Sequence, residues 1–472
     1  MIKNHIATVM KNYLTFTPTS DQVILLQLFA DFVLNQNDRG LLLLKGFAGT
    51  GKTTMISIFI KALQEFNIKT VLLAPTGRAA KVLTGYSGTS ATTIHKKIYR
   101  QKSSKDAFGE FSLDRNLHTN TFFIVDEASM LSDQSFESSI FGSGNLLQDL
   151  IRYVYNEKNC KLILVGDTAQ LPPVGLPVSQ AMDKRFLERY DVIVVEHELQ
   201  EVVRQARESG ILANATAIRS MIGVDDFKRP TFTVEGLTDV QRIAGSELLE
   251  NLSAAYRQYG QDDTIVICRS NKIANKYNQG VRNQVLYRDE ELSAGDYMMV
   301  VKNNYFWLEE NKAADFIANG DIVRIKRVRK YQELYGFRFA DVEIILPDYG
   351  NMELSVKLLL DTIYSEAPAL NTEDNKRLFY AVSEDFADIN PPRKRYEKVK
   401  ENPYFNALQV KFAYAVTCHK SQGGQWRVVF IDQSYFRDEM LTPEYLKWLY
   451  TAFTRATEKV FLVNFGNDFF VE

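Results

Sequence analysis

The amino-acid sequence predicts an α/β fold made of two parallel-sheet halves, the second interrupted by a small antiparallel β-barrel. Three patterns carry this expectation. Strand-like apolar runs alternate with helix-like segments as far as residue 205, which argues for a parallel sheet with helices on both faces. A second alternating set opens at Thr264–Cys268 and continues with Phe412–Val416, Val428–Ile431 and Lys459–Val463. Between the first two of these, from about Val285 to Asn406, short alternating runs such as DIVRIKRV and FADVEIIL are punctuated at Asn319-Gly320 and Asp348-Tyr349-Gly350. A stretch that long is a domain in its own right.

In the first half, strands are expected at Leu41–Leu44, Thr70–Ala74, Thr121–Val125, Lys161–Val165 and Val192–Val195. The first runs straight into GFAGTGKTT, Gly46 to Thr54, which fits the phosphate-binding loop G-x-x-x-x-G-K-[ST], and a helix is expected over Met55–Leu63. Gly46, Gly49 and Gly51 let backbone N–H groups turn inward at a helix N-terminus that already favours anions, with Thr50 and Thr54 completing the cradle. Lys52 is placed to reach the β- and γ-phosphates, and Thr53 to offer a hydroxyl to Mg²⁺.

TFFIV, Thr121 to Val125, is followed at once by Asp126 and Glu127. After a phosphate-binding loop, such a pair reads as one carboxylate for the metal and one to polarise the attacking water; standing alone, it would equally serve as a helix cap. Ligands of parallel sheets bind at the carboxyl ends of strands, so Gly46, Thr76, Asp126 and Asp167 should meet along one edge.

Composition narrows the class. With 472 residues, 45% hydrophobic and 24% charged, the chain is of ordinary globular make-up and long enough for about three domains. No run approaches the roughly 18 to 20 apolar residues of a membrane span, and MIKNHIATVM lacks the apolar stretch of a signal peptide, so a cytoplasmic protein is expected. Cys160, Cys268 and Cys418 are scattered singly, without metal-ligand spacing, and should stay reduced. A net charge of −2 gives no global sign of a nucleic-acid partner. The basic runs VRIKRVRK and RKRYEKVK, ending at Lys330 and Lys400, read first as solvated faces. Nothing reads as a coiled coil, so a monomer is expected.

The ordered series of motifs, spanning residues 16 to 463, resembles the superfamily 1 DNA helicases of the RecD-like/Dda group. The resemblance implies two RecA-like P-loop motor domains, 1–200 and 201–284 with 407–472, and an SH3-like domain over 285–406. It implies ATP between the halves and single-stranded DNA across both. Gln22 in TPTSDQ matches the adenine-reading glutamine. Thr76 in APTGRAAKVL, with Thr93 and His95 in TTIHK, match DNA contacts, as do Thr417 and His419 in VTCHKSQGGQW. In GDTAQLPPVG, Gln170 would sense the γ-phosphate and Asp167 would hold the loop. Arg204 and Arg455 match two arginine fingers. The basic runs gain a second reading, as clamps on the emerging strand.

The family's strand-separating hairpin falls at residues 97 to 118, with Phe108 at a plausible turn; Phe108 could equally pack onto its own hairpin. One departure stands out. Gly424 and Gln425 replace a serine and a glutamate, which puts in doubt a carboxylate contact to the nucleotide sugar. The limits of the chain match the compact members of the group. The implied activity is ATP-dependent 5′ to 3′ translocation and duplex unwinding on single-stranded and forked DNA. A Pif-like helicase shares the motor, a DNA-stimulated remodelling ATPase would not unwind, and a small-molecule P-loop kinase would need neither the second half nor Arg204.

Overall fold

The computed structural model describes residues 2–35, 37–101, 111–133, 142–203, 209–225, 228–308 and 316–470. Strands β1 (Gly40–Gly46), β2 (Lys69–Ala74) and β3 (Ala91–Thr93) come first, followed by an antiparallel pair, β4 (Tyr99–Gln101) with β5 (Phe111–Leu113). Next are β6 (Thr121–Val125), β7 (Lys161–Gly166) and β8 (Ile193–Leu199). Six of these form a parallel sheet in the order β3-β2-β6-β7-β1-β8. The leucine run of β1 is apolar throughout because both faces are covered. Leu42 and Leu44 pack with Phe29 and Phe59 of the helices Ser20–Leu34 and Lys52–Glu65, whereas Leu41 and Leu43 pack with Leu147 and Leu150 on the opposite face.

The second sheet is also parallel. It takes β9 (Val240–Ile243) and β10 (Thr264–Cys268) from before a closed barrel of β11 (Tyr297–Val300), β12 (Ile322–Leu334), β13 (Phe337–Leu346), β14 (Met352–Leu359) and β15 (Leu408–Phe412). It is completed by β16 (Ala415–Thr417), β17 (Trp426–Asp432) and β18 (Ala456–Val463), in the order β16-β10-β17-β18-β9.

Two corrections follow. The run Phe412–Val416, expected as one strand of the second half, is split. Phe412 ends β15, Ala413 donates its N–H to the Tyr297 carbonyl, and β16 begins at Ala415 in another sheet. The barrel therefore closes at Phe412, six residues beyond the expected limit of 406, because β15 is needed to pair with both β11 and β14. LQVKF hid this role because Gln409 and Lys411 are buried too, Lys411 being held by the carbonyls of Thr362 and Ser365.

The insertion also carries two helices, Thr372–Glu384 and Pro392–Lys400, and the second basic run lies on the latter. The first lies on β12, where Arg329 pairs with Glu343 of the neighbouring strand β13 and Lys326 with Glu353 of β14, one strand further on. Glycines at Gly320 and Gly350 take φ of 93° and 68°, as their expected turns require; the tight β12–β13 turn at Tyr335-Gly336 (φ 57° and 73°) was not foreseen. All three cysteines are free and buried. Among the described residues no helix is long and apolar enough to cross a membrane.

Candidate active site and nucleic-acid interface

The adjacent strands β6, β7 and β1 bring Asp126, Asp167 and the glycine-rich loop to one sheet edge. The loop turns through Gly49 and Gly51 at φ of 75° and 83°, a region that side chains disfavour. Gly51 is doubly required, since a Cβ there would stand 2.7 Å from the Gln22 amide nitrogen. Gln22 is fully buried. Its oxygen accepts the Thr19 N–H, closing the cap of helix Ser20–Leu34, and its nitrogen donates to the Thr50 carbonyl at 2.9 Å. The glutamine thus props the loop from behind. Lys52 opens helix Lys52–Glu65 next to Thr53, and its ammonium donates to the Phe47 carbonyl at 2.9 Å while lying 4.0 Å from Asp167.

Asp126 directly follows β6 and accepts the Glu127 N–H at 2.9 Å. Burial, with Glu127 adding to it, pushes the Asp126 carboxyl up to about 6 against the opposing pull of that hydrogen bond and Lys52. Glu127 itself sits at φ 54°, a left-handed conformation that costs a non-glycine residue roughly 1–3 kcal/mol and turns its side chain toward the cleft.

The other half reaches this edge through helix Pro443–Phe453 and the turn after it. Arg455 is buried, held by the carbonyls of Thr451 (3.2 Å) and Gly424 (3.3 Å), and its guanidinium lies 3.7 Å from the Glu127 carboxylate. Arg204 lies outside the described residues. Two neighbours that the sequence reading missed, Tyr450 and Thr451, complete the contact together with Gln422. The Tyr450 hydroxyl donates to Asp167 at 2.6 Å and accepts the Ala48 N–H of the glycine-rich loop at 2.8 Å. Leu171 is held at both ends of its backbone, its N–H by the Thr451 hydroxyl and its carbonyl by Gln422. In sequence, Tyr450 and Thr451 look like ordinary core residues of an apolar helix. Their nearness to Arg455 was the only signal. Between Asp167 and Leu171, Gln170 is buried with its side-chain oxygen unpartnered among the described residues.

A second, longer cleft of about 790 Å³ runs over both halves and the barrel. It gathers Thr76, Thr93 and His95 from the first half with Thr417 and His419 from the second. Thr76 and Thr93 each cap a helix by accepting an N–H at 3.2 Å, which leaves their hydroxyl protons to donate outward. Burial pushes the His95 imidazole down to about 4 and lowers that of His419, so both are neutral near pH 7. Lys420, from the same motif as Thr417 and His419 and brought down to about 8 by burial, also lines this cleft, as do Arg269 and the barrel's Asn303 and Asn319, which were not anticipated. The barrel asparagines could not be placed without the fold. Phe108 lies outside the described residues, as does the rest of 102–110.

The departure at Gly424 and Gln425 has a steric reason. A Cβ on Gly424 would meet the Trp426 ring at 2.5 Å and Arg78 at 2.9 Å. Arg78 stacks over Trp426 at 4.0 Å and Tyr86 donates to the Gln425 amide oxygen at 2.9 Å, so these residues tie the second half to helix Gly77–Ser87 of the first.

Residues 30–221 match the AAA domain family and residues 412–463 the UvrD-like helicase C-terminal domain family. An uncharacterized protein of Acanthamoeba polyphaga mimivirus is 24% identical, over 90% of this chain and 96% of its own. The ATP-dependent DNA helicase dda of Enterobacteria phage T4 is also 24% identical, over 89% of this chain and 93% of its own. The ATP-dependent RecD2 DNA helicase of Deinococcus radiodurans is 32% identical over 144 residues, 29% of this chain and 17% of its own.

Proposed function

As a superfamily 1 helicase of the RecD-like/Dda group, the chain is a nucleotide-driven motor, and we propose that it hydrolyses ATP to move 5′ to 3′ along single-stranded DNA and part the duplex ahead. One observation carries this reading. The second half places Arg455 3.7 Å from Glu127 and Tyr450 on the glycine-rich loop, while its Thr417 and His419 line the long cleft. A change at the phosphates is thereby felt where a strand would lie.

In this reading Lys52 and the N–H groups after Gly46 bind the phosphates, and Gln22 holds the loop beside the adenine. Glu127 orients water and takes its proton. Arg455, with Arg204, spreads the charge that develops on the γ-phosphate, and the unpartnered Gln170 oxygen is an acceptor available to the attacking water rather than to the phosphate itself. The hard oxygens of Thr53 and Asp126 suit Mg²⁺, and Asp126 and Glu127 stand side by side as two carboxylates whose charge a divalent cation would offset. Bound there, Mg²⁺ would neutralise phosphate charge. Threonine hydroxyls and neutral histidines would hold a strand by its backbone, without reading bases.

The test pairs two assays. ATP hydrolysis should rise with single-stranded DNA, and a duplex with a 5′ tail should be unwound while one with a 3′ tail is not. Stimulation without unwinding of either duplex would make the protein a remodelling ATPase, and unwinding from the 3′ tail would reverse the polarity.

A further inference from the structure

Helix Gly210–Met221 of the second half lies along the glycine-rich loop of the first and brings to it a cation that belongs to none of the motifs. Leu212 and Arg219 stand about two turns apart and so share one side of this helix. Leu212 packs on Gly49, where a Cβ would meet it at 3.2 Å, and the Arg219 guanidinium lies over the Phe47 ring at 4.2 Å. Ile211, Ala215 and Ile218 share a core with Leu446 and Leu449 of helix Pro443–Phe453, the helix that brings the Tyr450 hydroxyl to Ala48. Phe47, Ala48 and Gly49 are thus met in succession by Arg219, Tyr450 and Leu212.

Packing alone does not call for an arginine here. An apolar side chain would cover Phe47 without the cost of taking a charge out of water. Arg219 has no carboxylate at ion-pair distance among the described residues, and its Nη1 is buried with no hydrogen-bond partner there. Asp167, across Tyr450, is already taken up by the Tyr450 hydroxyl and the Ala169 N–H. Burial raises the Tyr450 phenol far above its usual range, with Asp167 adding to it, and the Arg219 charge opposes both, so the guanidinium is felt at the hydroxyl that touches the loop.

We propose that Arg219, seated on Phe47, is a standing positive charge that raises the affinity of the glycine-rich loop for a nucleoside triphosphate. This rests on the reading of the chain as an ATP-driven motor. Its part differs from that of Arg455, which lies 3.7 Å from Glu127, where charge develops during hydrolysis. Arg219 acts through its field and through Phe47, and it is a positioning residue. The phosphates are charged before, during and after the reaction, so such a field favours the bound substrate and its transition state alike. A uniform effect of that kind sets KM and leaves kcat alone.

The experiment measures ATP hydrolysis at saturating single-stranded DNA, and direct binding of ATP and ADP, for wild type, Arg219→Met, Arg219→Lys and Phe47→Leu. Arg219→Met keeps an apolar cover on Phe47 and removes the charge. Its KM for ATP should rise roughly three- to tenfold with kcat within about twofold, and its binding should weaken more for ATP than for the less charged ADP. Arg219→Lys should stay within about twofold of wild type, since a cation remains over the ring. Phe47→Leu, which unseats the guanidinium, should raise KM in the same way, and combining it with Arg219→Met should add little. An unchanged KM in Arg219→Met would overturn the proposal. So would a tenfold loss of kcat at constant KM, which would place Arg219 on the transition state, or equal weakening of ATP and ADP shared by Arg219→Lys, which would make it a packing residue. A wild type that binds ATP without hydrolysing it would instead defeat the motor reading, and the binding comparison would still decide the role of Arg219.

Discussion

The nucleotide edge and the five expected contacts in the long cleft are built from opposite materials. At the edge, charged groups are fixed: Arg455 by two carbonyls, Asp167 by Tyr450 and the Ala169 N–H, Lys52 by the Phe47 carbonyl. In the long cleft, the five expected contacts are threonine hydroxyls and histidines that burial keeps neutral. Phosphoryl transfer calls for charge held in place as the transition state forms, whereas a strand that must advance has to be released at every step. The division of labour teaches that hydrolysis and grip can be broken separately.

The largest expected effect is at the edge. Lys52→Ala should abolish productive ATP binding, whereas Glu127→Gln should bind ATP and lose turnover by roughly a hundredfold or more, because the phosphate cradle and Asp126 stay intact. Nucleotide binding and steady-state hydrolysis measured together check this, and normal turnover by Glu127→Gln would remove that residue from its role.

Tyr450→Phe comes next. It deletes the hydroxyl that joins Ala48 to Asp167 without emptying the core, so DNA stimulation of hydrolysis should fall about tenfold while DNA-free hydrolysis changes little. Equal loss with and without DNA would reduce Tyr450 to a packing residue.

Gly424→Ser tests the clasp between the halves. The added group meets the Trp426 ring and Arg78, and should cost about 1–3 kcal/mol of stability in denaturant unfolding, with Trp426→Phe in the same chain recovering part of it. A silent Gly424→Ser would show that the ring is free to shift.

The smallest effect belongs to the long cleft. Lys420 is protonated below about 8, so single-stranded DNA affinity should hold toward pH 7 and weaken a few-fold as pH rises past that value, with bound phosphate moving the transition upward. Binding titrations from pH 7 to 9.5 would show it. Lys420→Met should flatten that part of the profile, and an unchanged profile would place Lys420 off the strand.

The sequence was most legible where chemistry fixes spacing. GFAGTGKTT and TFFIV followed by Asp126 and Glu127 each rest on a strand end, and both stand where the pattern implies. It was least legible where a residue's meaning depends on a distant partner. Tyr450 lies 402 residues from Ala48, and nothing local to a Leu-Tyr-Thr-Ala helix reveals that its hydroxyl is used. Gly424 reads in sequence only as a departure from the usual serine, and Trp426 and Arg78, which fill the space of its missing side chain, supply the reason. The boundary at 412 was obscured because β15 and β16 form one apolar run, and only the hydrogen-bond partners of Phe412 and Ala415 assign them to different sheets.

The most direct test of separable clefts is Arg455→Ala, followed for single-stranded DNA affinity and DNA-stimulated ATP hydrolysis in one preparation. The expected result is affinity within about twofold of wild type and hydrolysis down roughly a hundredfold, since the guanidinium faces Glu127 and not the long cleft. Lost DNA affinity with hydrolysis intact would contradict it.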